Sequence, residues 1–146
     1  PDPNPFIDRL ETFLPSLPRG RRYAVEVRNK TFVTARLLRL LRQHGVALAL
    51  IDHPWFFGVE QLMRMNGVLT AEFAYIRWLG DRKGIEKKTT RWDSLIVDRR
   101  RDMGRWIPAI HGMLDRGLTV YGYFNNHYAG YAIGSIDLFR EMWEGS

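Results

Sequence analysis

The chain has no cysteine among its 146 residues. That excludes disulfides and thiolate metal ligands, and it suits a reducing compartment, so a cytoplasmic location is the expectation. No apolar run approaches the ~20 residues that cross a bilayer, and no membrane partner is expected. Methionine is missing from the start, which reads Pro1-Asp2-Pro3; the expectation is a start trimmed from a longer protein. Lysine is scarce. Only Lys30, Lys83, Lys87 and Lys88 are present, so the net charge of +6 is carried mostly by arginine. Arginine's planar fork suits phosphate and carboxylate groups. A basic chain of this kind is compatible with a nucleic-acid partner, although many basic proteins have no polyanion partner at all.

What is there alternates. Asn4 and Pro5 open a helix carrying Phe6, Leu10, Phe13, Leu14 and Leu17 at helical spacing, stopped by Pro15 and Pro18. Residues 23–27 read as a strand. Val33, Leu37, Leu38, Leu40 and Leu41 make a helical stripe that ends at Gly45, with His44 as a helix-end cation. The continuous apolar run 46–51 reads as a strand covered on both faces. A short helix is expected over 59–65, a third strand over 73–79, and a charged loop over 80–90. A long helix follows, with Met103, Trp106, Ile107, Ile110 and Leu114 on one face and Pro108 expected to kink or split it. A fourth strand at 120–124 and a terminal helix with Ile136, Phe139, Met142 and Trp143 complete the order.

Strands alternating with helices predict an α/β fold with a parallel sheet. A doubly wound nucleotide fold would place glycines after its first strand, where this chain has Arg28-Asn29-Lys30-Thr31. A parallel (β/α) barrel of TIM type fits better, but it has eight strands and this chain supplies about four strand–helix units, a half barrel. Four parallel strands alone leave a bare concave face and two open edges. The expected partner is therefore either an absent N-terminal half or a second copy of the chain.

Strand ends carry the candidate site. In the first strand Glu26 and Arg28 alternate with Val25 and Val27; in the third, Tyr75 and Arg77 share one face opposite Ala74, Ile76 and Trp78. The second strand ends in Asp52-His53 and the fourth in Asn125-Asn126-His127. Barrel strands stop together at one rim, so these groups are expected around one pocket. Arg28, Arg77, Asn125, Asn126 and His127 are the candidate ligand-binding residues, and Glu26 and Asp52 the candidate catalytic acid–base pair. The favoured ligand is anionic and phosphate-bearing, nucleic acid included. A buried ion network among Glu26, Arg28 and Arg77 that merely fills a barrel layer is the structural alternative.

Two other functions stay open. A metal-dependent hydrolase would use Glu26, Asp52, His53 and His127, though no HxH or HxxxH spacing supports it. A noncatalytic binding or scaffold protein is the other. No serine sits in a nucleophile elbow, and no motif assigns a cofactor. Arg99-Arg100-Arg101 reads as a solvated helix face. The basic loop with Arg82, Lys83, Lys87, Lys88 and Arg91 is read first as a flexible solvated loop, with guidance of an anionic ligand as the alternative. Trp78 and Trp92 flank that loop, with core packing the stronger reading for Trp78.

The segments Tyr23-Ala24-Val25-Glu26-Val27-Arg28-Asn29, Phe73-Ala74-Tyr75-Ile76-Arg77-Trp78-Leu79-Gly80 and Tyr123-Phe124-Asn125-Asn126-His127-Tyr128-Ala129-Gly130 resemble the YecE-like family, the domain of unknown function DUF72. The likeness extends to His44-Gly45-Val46-Ala47-Leu48 and Asp52. It implies an eight-stranded barrel in which residues 1–146 are the C-terminal half of a single TIM-like domain, the N-terminal half being absent. It implies no reaction. Tyr131 and Leu79 stand where the family often has histidine, and losing both imidazoles weakens the metal reading.

Overall fold

The computed structural model describes residues 2–146. Its core is a four-stranded sheet, β1 (Ala24–Val25), β2 (Ala47–Asp52), β3 (Phe73–Trp78) and β4 (Thr119–Phe124), in the order β1-β2-β3-β4. Every pairing is parallel. The described residues form seven α-helices before, between and after the strands: α1 (Asn4–Phe13), α2 (Ala35–Gln43), α3 (Val59–Arg64), α4 (Arg82–Glu86), α5 (Arg100–Asp115), α6 (Asn126–Ala129) and α7 (Ala132–Glu144). The molecule is an α/β fold with sequential parallel strands.

Register assigns the two faces. Ile51 pairs with Arg77, which pairs with Tyr123, whereas Asp52 pairs with Trp78, which pairs with Phe124. Leu48, Leu50, Ala74, Ile76 and Trp78 face the helices and are almost wholly buried. Trp78 is the centre of this layer. It stacks on Phe124 at 4.2 Å between ring centroids and meets Trp106 of α5 edge-on at 5.6 Å. The opposite face carries Tyr75, Arg77, Tyr121 and Tyr123, all at least partly open to solvent.

Several local expectations change. β1 is two residues long rather than five, because its pairing with β2 covers only Ala24↔Ala47 and Val25↔Leu48. The stretch expected as a loop after β3 contains α4, whose Ile85 is buried and whose Arg82 and Glu86 pair one turn apart. Pro108 does not split α5, which runs unbroken for 16 residues. The proline is exposed, and on the outer side of a helix the carbonyl one turn back can turn to water. Met113, not Leu114, continues the buried stripe of α5; Leu114 is exposed. Asn4 does not cap α1. Asp2 Oδ1 accepts from the Asn4 N–H, and the Asn4 amide oxygen accepts from Arg36.

One glycine is required by close packing where β3 ends. Gly80 has φ +69°, and a Cβ there would lie 2.4 Å from the His127 carbonyl oxygen and from Tyr128 Cα. The turns after β3 and β4 therefore touch through backbone, which brings the two strand ends together.

Candidate functional site

Glu26 is the hub of an ion cluster with Arg28 and Arg77. Its Oε1 accepts from Arg28 Nε at 2.8 Å and its Oε2 accepts from Arg77 Nη1 at 2.5 Å. Both guanidiniums keep further N–H groups free. Burial tends to raise the Glu26 pKa, but the hydrogen bonds from Arg28 and Arg77 outweigh it and hold the carboxyl below its ordinary value. The cluster thus holds one carboxylate against two guanidiniums. His53 stands nearby, and desolvation together with the charge of Arg28 lowers its pKa.

The turn after β4 is built from its own polar tips. Asn125 Oδ1 accepts from the His127 N–H at 3.0 Å and lies 2.8 Å from His127 Nδ1. Asn126 Oδ1 accepts from the Ala132 N–H at 2.8 Å and starts α7. Both amide oxygens are occupied, and both NH₂ groups stay available as donors. His127 Nε2 lies 3.3 Å from Glu86 Oε1 of α4, and Trp92 meets the imidazole edge-on at 4.9 Å. The polar crowd after β4, a strand with no fully buried residue, therefore has a local purpose: it turns the chain from β4 into α6 and α7.

Asp52 lies elsewhere. Its place beside Trp78 turns it toward the helices, on the sheet face opposite Arg77. Its Oδ2 accepts from Trp106 Nε1 at 2.8 Å and from the Tyr128 hydroxyl at 3.2 Å. Burial raises its pKa more than these bonds lower it. Burial, then the charge of Asp52, pushes the Tyr128 phenol far above its ordinary range, so it stays a donor. Asp52 and His53 open into a cavity of about 290 Å³ walled by Phe56, Val59, Arg99, Asp102, Arg105, Trp106 and Tyr128, among others.

The single pocket expected at the rim is therefore divided. Glu26, Arg28 and Arg77 come together in one ion cluster; Asn125, Asn126 and His127 form the turn after β4; Asp52 lines a cavity on the helix side. Among the described residues no three His, Asp or Glu side chains converge to hold a metal ion. Asp102 and Arg105 were not singled out from the sequence, and neither Arg99 nor Tyr128 was placed at a site. The triple arginine at 99–101 reads as a solvated face, yet Arg99 donates to the Tyr128 carbonyl and to Asp102. Only the three-dimensional neighbour, Tyr128, distinguishes it from the arginines beside it.

The family model described as "Protein of unknown function DUF72" matches residues 1–146. The chain belongs to the DUF72 family. Among solved structures, the DUF72 chain is similar to a DUF72 family protein of Thermotoga maritima MSB8, with a TM-score of 0.66 and 24% identity. That match covers 94% of this chain and 51% of the other. A DUF72 family protein of Enterococcus faecalis V583 gives a TM-score of 0.63 at 17% identity, covering 97% of this chain and 54% of its own. The DUF72 chain thus spans about half the length of these two relatives, and at such identities the likeness is one of fold. No curated protein matches it.

Proposed function

We propose that residues 1–146 form the C-terminal half of a single (β/α) barrel of TIM type, and that the strand-end rim of this half binds an anionic, phosphate-bearing ligand. The observation that carries the binding reading is the Glu26 bridge: one carboxylate holds two guanidiniums side by side on the concave face, leaving a net positive cluster with unused donors. A lone carboxylate between two arginines is a poor base, so Glu26 acts here as a positioning residue. The NH₂ groups of Asn125 and Asn126 add neutral donors at the neighbouring strand end, and the basic α4 segment raises the local positive potential. The barrel reading rests on the sequential parallel order, the helices packed on one face, and the half-length coverage of DUF72 structures.

Calorimetric titration with inorganic phosphate and with a short single-stranded oligonucleotide tests the binding. Saturable binding is expected. Arg77→Ala should weaken it about ten- to a hundredfold, since a hydrogen bond to a charged group contributes about 1.5–3 kcal/mol. Arg28→Ala should have a smaller effect, its side chain being 71% exposed. Oligonucleotide affinity that falls steeply with salt would identify a polyanion ligand; binding limited to inorganic phosphate would identify a small one. Affinity unchanged by Arg77→Ala would refute the site.

A further inference from the structure

The cavity on the helix side of the sheet is lined by a carboxylate that the rim site does not use. It lies where β2 and β3 end, against the first turns of α5, and its volume of about 290 Å³ suits a compact ligand. Two guanidiniums reach it, but each is already paired. Arg99 Nη1 lies 3.0 Å from Asp102 Oδ2. Arg105 grips Glu60 with two parallel bonds, Nε to Oε1 at 2.7 Å and Nη2 to Oε2 at 2.5 Å, which hold the Glu60 carboxyl down to about 2. Asp52 differs from both partners. Its only side-chain donors are neutral, the Trp106 indole and the Tyr128 phenol, and both bind the same oxygen, Oδ2. Oδ1 takes no hydrogen bond from the described residues. Among the described residues Asp52 makes no direct ion pair, although the charges of Arg99 and Arg105 reach it from the same cavity.

The rest of the wall is mostly apolar and aromatic, from Phe56, Phe57, Val59 and the rings of Trp106 and Tyr128, with the imidazole of His53 beside Asp52. An anion entering here would meet two carboxylates and two arginines whose charge is already neutralised. A cation would gain the free oxygen of a desolvated carboxylate and aromatic faces beside it. We propose that this cavity binds a small organic cation, an ammonium or amidinium on a compact apolar body, with Asp52 as its counter-ion. Trp106 and Tyr128 are positioning residues that hold one carboxylate oxygen so that the other faces the ligand. The site is distinct from the proposed anion rim in that Asp52 and Arg77 lie on opposite faces of the sheet, although His53 lines this cavity and also feels the charge of Arg28.

The test is titration of the protein carrying the full chain with benzamidinium, benzamide and benzoate, followed by calorimetry and by the indole N–H resonance of Trp106 in the unaltered protein. Benzamidinium is expected to bind one site and shift that resonance, with benzamide and benzoate at least tenfold weaker. Asp52→Asn, which keeps an acceptor for both donors, should weaken benzamidinium at least tenfold, whereas Arg77→Ala should leave it unchanged. Preference for benzoate, equal binding by Asp52→Asn, or an unmoved Trp106 resonance with no saturable heat would each overturn the assignment. Loss of phosphate binding in Arg77→Ala bears only on the rim.

Discussion

Asp52 shows what one buried charge does to a residue's role. Its parity in β2 sends it to the helix layer, where desolvation is the largest influence on its pKa and raises it. The folded protein therefore holds the proton more tightly than the unfolded chain does. By linkage, stability falls as pH rises from the ordinary carboxyl value of 3.8 through the higher folded value, and the full cost of the charge is present above that. Asp52→Asn removes this cost. The variant should unfold at higher denaturant concentration than the unaltered protein at neutral pH, with the difference vanishing below about pH 4. Denaturant melts across pH 3–8 measure it. Glu26 has the opposite sign. Its folded pKa is depressed, so its pairing supports the fold above the unfolded value of 4.5 and is lost as pH falls through the lower folded value. The alternation of Glu26 and Arg28 with Val25 and Val27 was legible in the sequence and placed both on one face. The partnership of Glu26 with Arg77, 51 residues away, was only suggested by the need to pair buried charge.

At the scale of elements, regular strand pairing leaves gaps that side chains fill. Thr70 lies before β3 begins and is buried. Its hydroxyl accepts from the Leu48 N–H at 2.8 Å and donates to the Val46 carbonyl at 2.7 Å, satisfying two backbone groups near the start of β2. Thr70→Val keeps the shape and orphans both groups. A loss of about 1–3 kcal/mol is expected, read as a lower denaturant midpoint with an unchanged slope. No periodicity pointed to Thr70, because a lone threonine between a helix and a strand resembles any loop residue. The existence and order of the strands were readable from the apolar runs at 46–51 and 73–79. Their limits were not: β1 is cut to two residues by its register with β2, and α5 passes through Pro108 because that residue faces water. The helix α4 was hidden in a charged stretch whose single inward residue, Ile85, gives no repeating pattern.

In the whole molecule, the sheet face opposite the helices is only partly covered: Ala49, Ile51 and Phe73 are buried on it, while the tyrosines of β3 and β4 stay at least partly open. Tyr75 and Tyr123 pair at 5.0 Å between centroids, Phe73 meets Tyr121, and Arg22 lies over both of the latter rings. Tyr123 remains 49% exposed. An aromatic sheet face with an open strand edge on either side calls for a covering surface. In the proposed barrel that surface is four further strands. The 146-residue chain by itself should associate with rising concentration in sedimentation velocity, and Tyr123→Lys, which adds like charge beside Arg77, should suppress the association. A chain that stays monomeric at every concentration would argue against a half barrel.

The amino-acid sequence by itself determined the alternation of strands and helices, the parallel sheet, the arginine-rich charge and the family, since these follow from periodicity, composition and local motifs. Tertiary structure alone decided how the polar strand ends divide. One residue of register separates Asp52 from the face of Arg77, and that single step moves a carboxylate from an open guanidinium cluster into a desolvated cavity. Side chains alternate across a strand within 3.3 Å of rise, so where a strand ends in phase with its neighbours decides what its last residue meets.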